Sequence, residues 1–268
     1  MEVSKATERM PVSKNQGRSA PISHTIPAVI LAAGKGTRMK AREPKAAVPI
    51  GGRPMVARVA DAMRGAGLSR IIAVVGHRAD DVRAAIGDDA EYVVQEEQLG
   101  TGHAARCAHT ALQSYEGPIV IAYADIPLLR KHEVARLIAR HIETGAAATL
   151  LTAIFDEPGT LGRIIRAPDD RVEGIVEARD ATKEQLAIRE INVGVYCFQA
   201  PLVFETFAEL TSENAQRQFY LTDTIGILVR RGERVEALAM ESAHSGMGVD
   251  TEEDLARAQH YWTMGEPL

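Results

Sequence analysis

From residue 28 onward, short and wholly apolar runs alternate with segments whose apolar positions recur every three or four residues. Residues 28–33, 71–75, 119–123 and 148–154 are too continuously apolar for a sheet with one solvated face, so they predict strands buried on both sides. Between them, Met55, Val56, Val59 and Met63 fall at helical spacing, as do Val134, Leu137, Ile138 and Ile142. Strands alternating with amphipathic helices predict an α/β protein with a Rossmann-like, mostly parallel sheet flanked by helices. The stretch from Arg163 to Phe198 reads differently. Its β-like runs at 163–166, 172–176 and 193–198 enclose a polar excursion at 180–188, which predicts a small β-rich subdomain within about 155–225, lying against the main sheet. Helical patterns return at 201–210, 221–231 and 252–262. Residues 1–26 are polar and aperiodic and lack the apolar core of a secretory signal. They are expected to form a disordered tail ahead of a single domain over 27–268.

Composition removes several classes without naming a function. The net charge of −5 over 268 residues disfavours a nucleic-acid backbone or an anionic membrane as partner. With aromatics at 4% and one Trp (Trp262), platforms for stacking bases are scarce. Two cysteines, Cys107 and Cys197, are too few for a disulfide framework and suit a reducing, cytoplasmic setting. No apolar run approaches the ~20 residues that span a bilayer. The eight histidines never fall in metal-binding spacing, and no G-x-S-x-G nucleophile elbow is present.

The chemistry concentrates where predicted strands end, the edge at which open parallel sheets bind ligands. LAAGKGTRM at 31–39 leaves the first strand, with Pro44 and Lys45 close behind. Glycines there let backbone N–H groups approach phosphate oxygens, and Arg38 and Lys45 are placed to neutralise them. The spacing fits neither the P-loop nor the dinucleotide fingerprint. QEEQLGTGH at 95–103 follows a strand at 92–94. Its glutamine amides can read the edge of a base, while the simpler reading is a strand-to-helix turn capped by Thr101 or a glycine. Asp125 ends the most apolar strand, where a buried acid suits a hard cation such as Mg²⁺. Asp250 is the natural second ligand, unless it only caps the helix that follows. Glu177 and Asn192 lie in or beside β-like runs, suited either to sugar hydroxyls and amides or to ordinary turn bonds.

In this order, the segments resemble the uridylyltransferase domain of the bacterial N-acetylglucosamine-1-phosphate uridyltransferase family. They are LAAGKGTRM with Pro44-Lys45, QEEQLGTGHA, Asp125 to Leu128, GRI at 162–164, VEARDAT at 176–182, EINVG at 190–194, NAQ at 214–216, YLTD at 220–223 and Val249-Asp250. They span nearly the whole chain after the tail. The resemblance implies a nucleotide-diphospho-sugar transferase type of fold whose β-rich subdomain binds sugar. It implies nucleotide contacts at Leu31, Ala33, Gly34, Gly36, Arg38, Lys45, Gln95, Gly100 and Thr101, with Gln98 nearby. Sugar contacts are implied at Tyr123, Gly162, Glu177, Asn192 and Thr222, and Mg²⁺ ligands at Asp125 and Asp250. Arg38, Lys45 and Asp125 carry the catalytic expectation.

The implied reaction passes a uridylyl group from UTP to N-acetylglucosamine 1-phosphate and releases pyrophosphate. The attacking phosphate is already ionised, which suits a chain without a Ser–His or Cys–His pair. Other sugars (N-acetylmuramate, glucose), other nucleotides, and a sugar-nucleotide-binding regulator without chemistry stay open, as does a homo-oligomer. Ala124 stands where the family usually has Gly, Asp250 where Asn is frequent, and Gln218 where Glu is common. Bifunctional members continue into a β-helix with acetyltransferase activity, which 268 residues are not expected to hold.

Overall fold

Every element is built around β1 (Ala28–Leu31), four residues with no polar atom to spare, all of them buried. The computed structural model describes residues 26–36, 38–39 and 43–264. The tail expected over 1–26 lies outside the described residues except for Ile26, which packs against the core. After β1 come a two-residue hairpin, β2 (Pro49–Ile50) and β3 (Arg53–Pro54), and then α1 (Met55–Gly65), β4 (Ile71–Val75), α2 (Ala79–Ile86) and β5 (Glu91–Val94). The chain continues through α3 (Thr101–Ala108), β6 (Pro118–Tyr123), α4 (Lys131–Thr144) and β7 (Ala148–Ile154). A hairpin of β8 (Arg163–Arg166) and β9 (Val172–Val176) precedes the short helix α5 (Lys183–Leu186) and the long strand β10 (Glu190–Gln199). α6 (Ala200–Thr206), α7 (Asp223–Arg230), β11 (Val235–Ala239) and α8 (Glu252–Thr263) complete the described chain.

The main sheet runs β11-β7-β10-β6-β1-β4-β5. All pairs are parallel except those made by β10, which is antiparallel to both of its neighbours. Alternate residues of each strand feed opposite faces. Ile30, Ala73 and Ala122 meet Met55, Val59 and Met63 of α1 and Val134 and Leu137 of α4 on one side. Val29, Ile72 and Ile121 meet Ala104 and Ala105 of α3 and Ile225 and Leu228 of α7 on the other. Burying each such Val, Ile or Leu contributes ~1.5–3 kcal/mol, which is why doubly covered strands hold the layers together.

Two expectations need correction. Residues 193–198 belong to β10, at the centre of the main sheet and not in a peripheral subdomain, because both faces of this run are apolar and both are buried. Ile142 continues the helical period of α4, yet 61% of it is exposed, since the stripe has already turned away from the sheet. The polar excursion contains α5, whose capping box pairs Thr182 with Gln185. The periodicity missed α2, β11 and the β2–β3 hairpin. No helix among the described residues is long and apolar enough to cross a membrane.

Register places the site. Leu31 is level with Val74 of β4 and Tyr123 of β6, and Val75 is level with Val94 of β5. The parallel strands therefore release their chains at one edge, and β10 enters from that edge because its antiparallel partner there is Ala122.

One buried group behind the sheet sets a pH dependence. His141 on α4 is 2% exposed, and its Nδ1 lies 3.1 Å from Thr149 Oγ1. Burial lowers its pKa to about 4 from the ordinary 6.5. The folded state thus holds the neutral ring while the unfolded chain protonates. The stability this confers is complete above pH 6.5 and is lost as pH falls toward 4, at up to ~1.4 kcal/mol per pH unit. His141→Gln is expected to flatten the decline of Tm across that window, and an unchanged slope would refute the assignment.

Candidate active site

Leu31, Ala33, Gly34, Gly36, Arg38 and Lys45, with the residues singled out at 95–101, 123–125 and 250, all arrive at this strand edge. The Ala124 N–H donates to the Leu31 carbonyl at 3.2 Å, and the Val249 N–H donates to the Asp125 carbonyl at 2.9 Å. Backbone bonds thus tie β1, the end of β6 and the segment before α8 together. Lys45 opens a short 3-10 turn and returns beneath the glycine loop. Gly36 permits the approach: its φ is +62°, and a Cβ there would stand 2.4 Å from Lys45 Cβ.

Four charges converge. Lys45 Nζ donates to Asp125 Oδ2 and, at 2.5 Å, to Asp250 Oδ1. Arg38 reaches the same Asp250 oxygen at 2.9 Å. Burial works to lower the Lys45 pKa, but the two carboxylates outweigh it and raise it. Burial likewise pushes Asp250 up, while Lys45 and Arg38 hold it below the usual carboxylate range. Asp250 is not the helix cap. Thr251 caps α8 in a capping box with Asp254, and Asp254 Oδ2 also accepts the Asp250 N–H. The Asp250 carboxylate is therefore left for the cations. Leu31 and Ala33 are buried beside this cluster, while Gly34 is exposed at its mouth, with open space where a Cβ would stand.

The 95–102 loop is stitched to 214–222. The Phe219 N–H donates to the Leu99 carbonyl and the Gly102 N–H to the Phe219 carbonyl, both at 2.8 Å. Thr101 Oγ1 accepts the Leu221 N–H at 3.0 Å. Gly100, not Thr101, occupies the N-cap of α3. The amide of Gln95, expected to read a base edge, has its Nε2 group engaged within the loop. It is 3% exposed, and its Nε2 donates to the Gly100 carbonyl at 3.1 Å and meets His103 Nδ1 at 3.0 Å. Gln98 Nε2 donates to the Gln95 carbonyl. Through Nε2, Gln95 helps to hold the shape of this turn.

A second polar group lies across β10. Glu177, at the end of β9, accepts the Thr222 hydroxyl proton at 2.9 Å and approaches Gly162. Burial raises its carboxyl pKa, the Thr222 bond opposes this, and Asp223, Asp180 and Asp250 add to the rise. Asn192 is 7% exposed. Its backbone N–H donates to the Gly162 carbonyl, its Oδ1 accepts the Gly194 N–H, and its Nδ2 donates to Tyr196. Tyr123 packs over Gly194, where a Cβ would meet its ring at 2.4 Å.

The structure thus gathers Arg38, Lys45, Asp125 and Asp250 into one cluster, Gln95, Gly100 and Thr101 into a loop beside it, and Gly162, Glu177, Asn192 and Thr222 into a third group. Two contributors escaped the sequence reading. Tyr196 looks like one more apolar residue of a buried strand, and only the period-two run Asn192, Gly194, Tyr196 marks it. Arg163, 2% exposed, donates to the carbonyls of Leu161, Gly159 and Leu186 and so fixes the loop that carries Gly162. Folding also brings His132, Glu133 and Glu241 within metal-binding reach, although no local spacing shows it. Arg136 pairs with both of these carboxylates, so the group is engaged as an ion-pair network.

Comparison with known proteins supplies a family. Residues 28–222 match the MobA-like NTP transferase domain. Proteins named "Bifunctional protein GlmU" are similar: that of Syntrophotalea carbinolica is 48% identical over 235 residues, covering 87% of this chain and 50% of that one. That of Shouchella clausii is 43% identical over 232 residues, covering 87% and 51%. The chain spans about half the length of these curated relatives. A UDP-glucose pyrophosphorylase solved with UDP-glucose superposes with a TM-score of 0.72 over 91% of this chain and 100% of that one. At 16% identity that likeness is one of fold. With the match running from β1 through Thr222, the chain belongs to the family of MobA-like NTP transferase domains.

Proposed function

We propose that the chain transfers the uridylyl group of UTP to N-acetylglucosamine 1-phosphate, giving UDP-N-acetylglucosamine and pyrophosphate. The observation that carries this is the cluster in which Lys45 sits between Asp125 and Asp250 with Arg38 beside it, at the carboxyl edge of a parallel sheet. Support comes also from the ordered motifs and the relatives named GlmU. In the reaction, an oxygen of the sugar phosphate attacks the α-phosphorus of UTP. A new O–P bond forms as the bond to the bridging oxygen of the pyrophosphate breaks. The nucleophile is anionic at neutral pH, so no side chain need accept a proton.

Arg38 and Lys45 offset the charge on the transferring and departing phosphates, Arg38 as a planar fork and Lys45 as a point charge. Asp125 and Asp250 fit a divalent cation, Mg²⁺ in this reading, because their oxygens already converge on one positive centre. When bound, such an ion supplies charge neutralisation between the phosphates. Gly34 and Gly36 let the triphosphate approach the backbone. The 95–102 loop, shaped from within by Gln95, receives the uridine. Gly162, Glu177, Asn192, Thr222 and Tyr123 form the sugar side, carried by the β8–β9 hairpin, the start of β10 and the 214–222 segment, a sugar-binding unit within about 155–225. Two unbonded thiols suit a cytoplasmic setting.

The test is pyrophosphate release over a matrix of nucleoside triphosphates and sugar 1-phosphates, with and without Mg²⁺. Greatest turnover is expected for UTP with N-acetylglucosamine 1-phosphate, and loss of turnover on chelation. Preference for another pair would reassign the substrates. Binding of UDP-N-acetylglucosamine with no turnover for any pair would make the chain a sensor of sugar nucleotides.

A further inference from the structure

α8 is attached to the rest of the chain at both ends. At its start, Asp250 pairs with Lys45 and Arg38, and the Val249 N–H donates to the Asp125 carbonyl at 2.9 Å. In its last two turns, Gln259 and Trp262 lie three residues apart and so share a face. The Gly51 N–H, at the tip of the β2–β3 hairpin, donates to Gln259 Oε1 at 2.9 Å. The Trp262 ring covers the Arg58 guanidinium of α1, with Cζ 3.6 Å from the ring centroid. Gly51 makes room for the indole: its φ is +54°, and a Cβ there would run into the indole nitrogen. The neighbouring Tyr261 stacks on His244 at 3.9 Å between centroids, in the 3-10 turn Ala243–Gly246 that leads to Asp250.

Arg58 is 8% exposed, and a buried guanidinium is costly unless its surroundings answer its charge. Its Nε donates to the Ile50 carbonyl at 2.7 Å and its Nη2 to the Gly51 carbonyl at 3.4 Å. The indole takes one of its faces, where the ring quadrupole favours a cation. α1, the hairpin and the end of α8 therefore meet at one point, and the hairpin is continuous with the turn that opens on Lys45. The bonds around Asp250 leave the near end of α8 a pivot, while the Trp262 contact fixes its angle. A helix of 12 residues is about 18 Å long, so a tilt of about 5° displaces one end against the other by about 1.5 Å. Misplacement of ~1 Å is already enough to spoil a reacting geometry.

We infer that Trp262 is a positioning residue which, seated on Arg58 and Gly51, sets the angle of α8 and with it the placement of the Asp250 carboxylate toward a divalent cation. The inference rests on the uridylyl-transfer reading, in which Asp250 is an ion ligand. It gives a role in that site to a residue at the opposite end of the helix.

The experiment titrates the full chain with Mn²⁺, read by electron paramagnetic resonance, alongside thermal unfolding and steady-state kinetics with Mg²⁺. Trp262→Ala is expected to raise the Mn²⁺ Kd fivefold or more, and the Mg²⁺ concentration for half-maximal turnover by a similar factor. The KM for N-acetylglucosamine 1-phosphate should stay within about twofold, because the sugar side is untouched. Trp262→Phe keeps a ring over Arg58 and is expected to hold the Mn²⁺ Kd within about twofold of wild type. Val203→Ala, which truncates a fully buried side chain on α6, should lower Tm and leave the Kd alone. Gly51→Ala, which evicts the indole, should reproduce the rise and serves if Trp262→Ala does not fold. A lower Tm with an unchanged Kd in these two variants, or an equal rise in Val203→Ala, would overturn the inference while uridylyl transfer stood. A wild-type chain that neither binds Mn²⁺ nor turns over this substrate pair overturns both.

Discussion

Asp125→Ala is expected to lower kcat by 10²–10³ with the fold intact. The Asp125 side chain is partly exposed at the sheet edge, and its backbone carbonyl, which accepts the Val249 N–H, is unaffected by truncation. What disappears is one of two carboxylates that converge on a single cationic position, and with it the oxygen that helps to hold a divalent cation against the phosphates. Loss of one preorganised electrostatic contact of this kind typically removes ~3 kcal/mol of transition-state stabilisation. Arg38→Ala acts on the opposite sign of charge and should cost a comparable factor. Pyrophosphate release at saturating substrates measures both, with Tm as the check on folding. Turnover near the wild-type rate in either variant would remove the cluster from the reaction.

Gly100→Ala should give the second large effect, through shape instead of charge. Gly100 has φ 114° and ψ 175°, a region that residues with a Cβ essentially do not enter, at a strain of ~1–3 kcal/mol. An added Cβ would also stand 2.4 Å from the Phe219 carbonyl oxygen and 2.9 Å from Gln218 Cβ. Since backbone cannot step aside as a flexible side chain does, the 95–102 loop must lift from 214–222. The two bonds through Phe219 and the Thr101–Leu221 bond are then at risk, at ~1 kcal/mol each. The expected result is a KM for UTP raised tenfold or more and a Tm lower by roughly 5 °C or more. Gly34→Ala is the contrast, for nothing lies within 4 Å of a Cβ placed there. It should fold like wild type, and equal Tm losses in the two variants would show that docking of the loop is not what Gly100 provides.

The same physics explains which parts of the molecule could be read early. Asp125 was recognisable because a carboxylate at the end of a wholly apolar strand needs a partner. Lys45 was recognisable because it follows a glycine turn at a strand end. The choice for Asp250 between capping and charge pairing was not recognisable, since it depends on whether the neighbouring Thr251 takes the cap. Gln95 is ambiguous in sequence for a related reason. An amide's chemistry is visible in its residue type, but whether its donors face a ligand or its own loop depends on the turn, and here the turn takes them.

Alternating apolar runs and helical periods were enough to settle an α/β architecture with strands covered on both sides, because burial pattern is a local property repeated along the chain. They also placed Arg38, Lys45 and Asp125 at strand ends, where loops meet. Only the folded chain decided that β10 runs antiparallel through the middle of the sheet, that Asp125 and Asp250 share one cation, and that Thr222 bonds to Glu177 across the segments. Each of these is a pairing between segments far apart in the chain. Strand order, register and the direction of a buried hydroxyl are fixed by the competition among all such pairings, and residue spacing carries no record of which one wins.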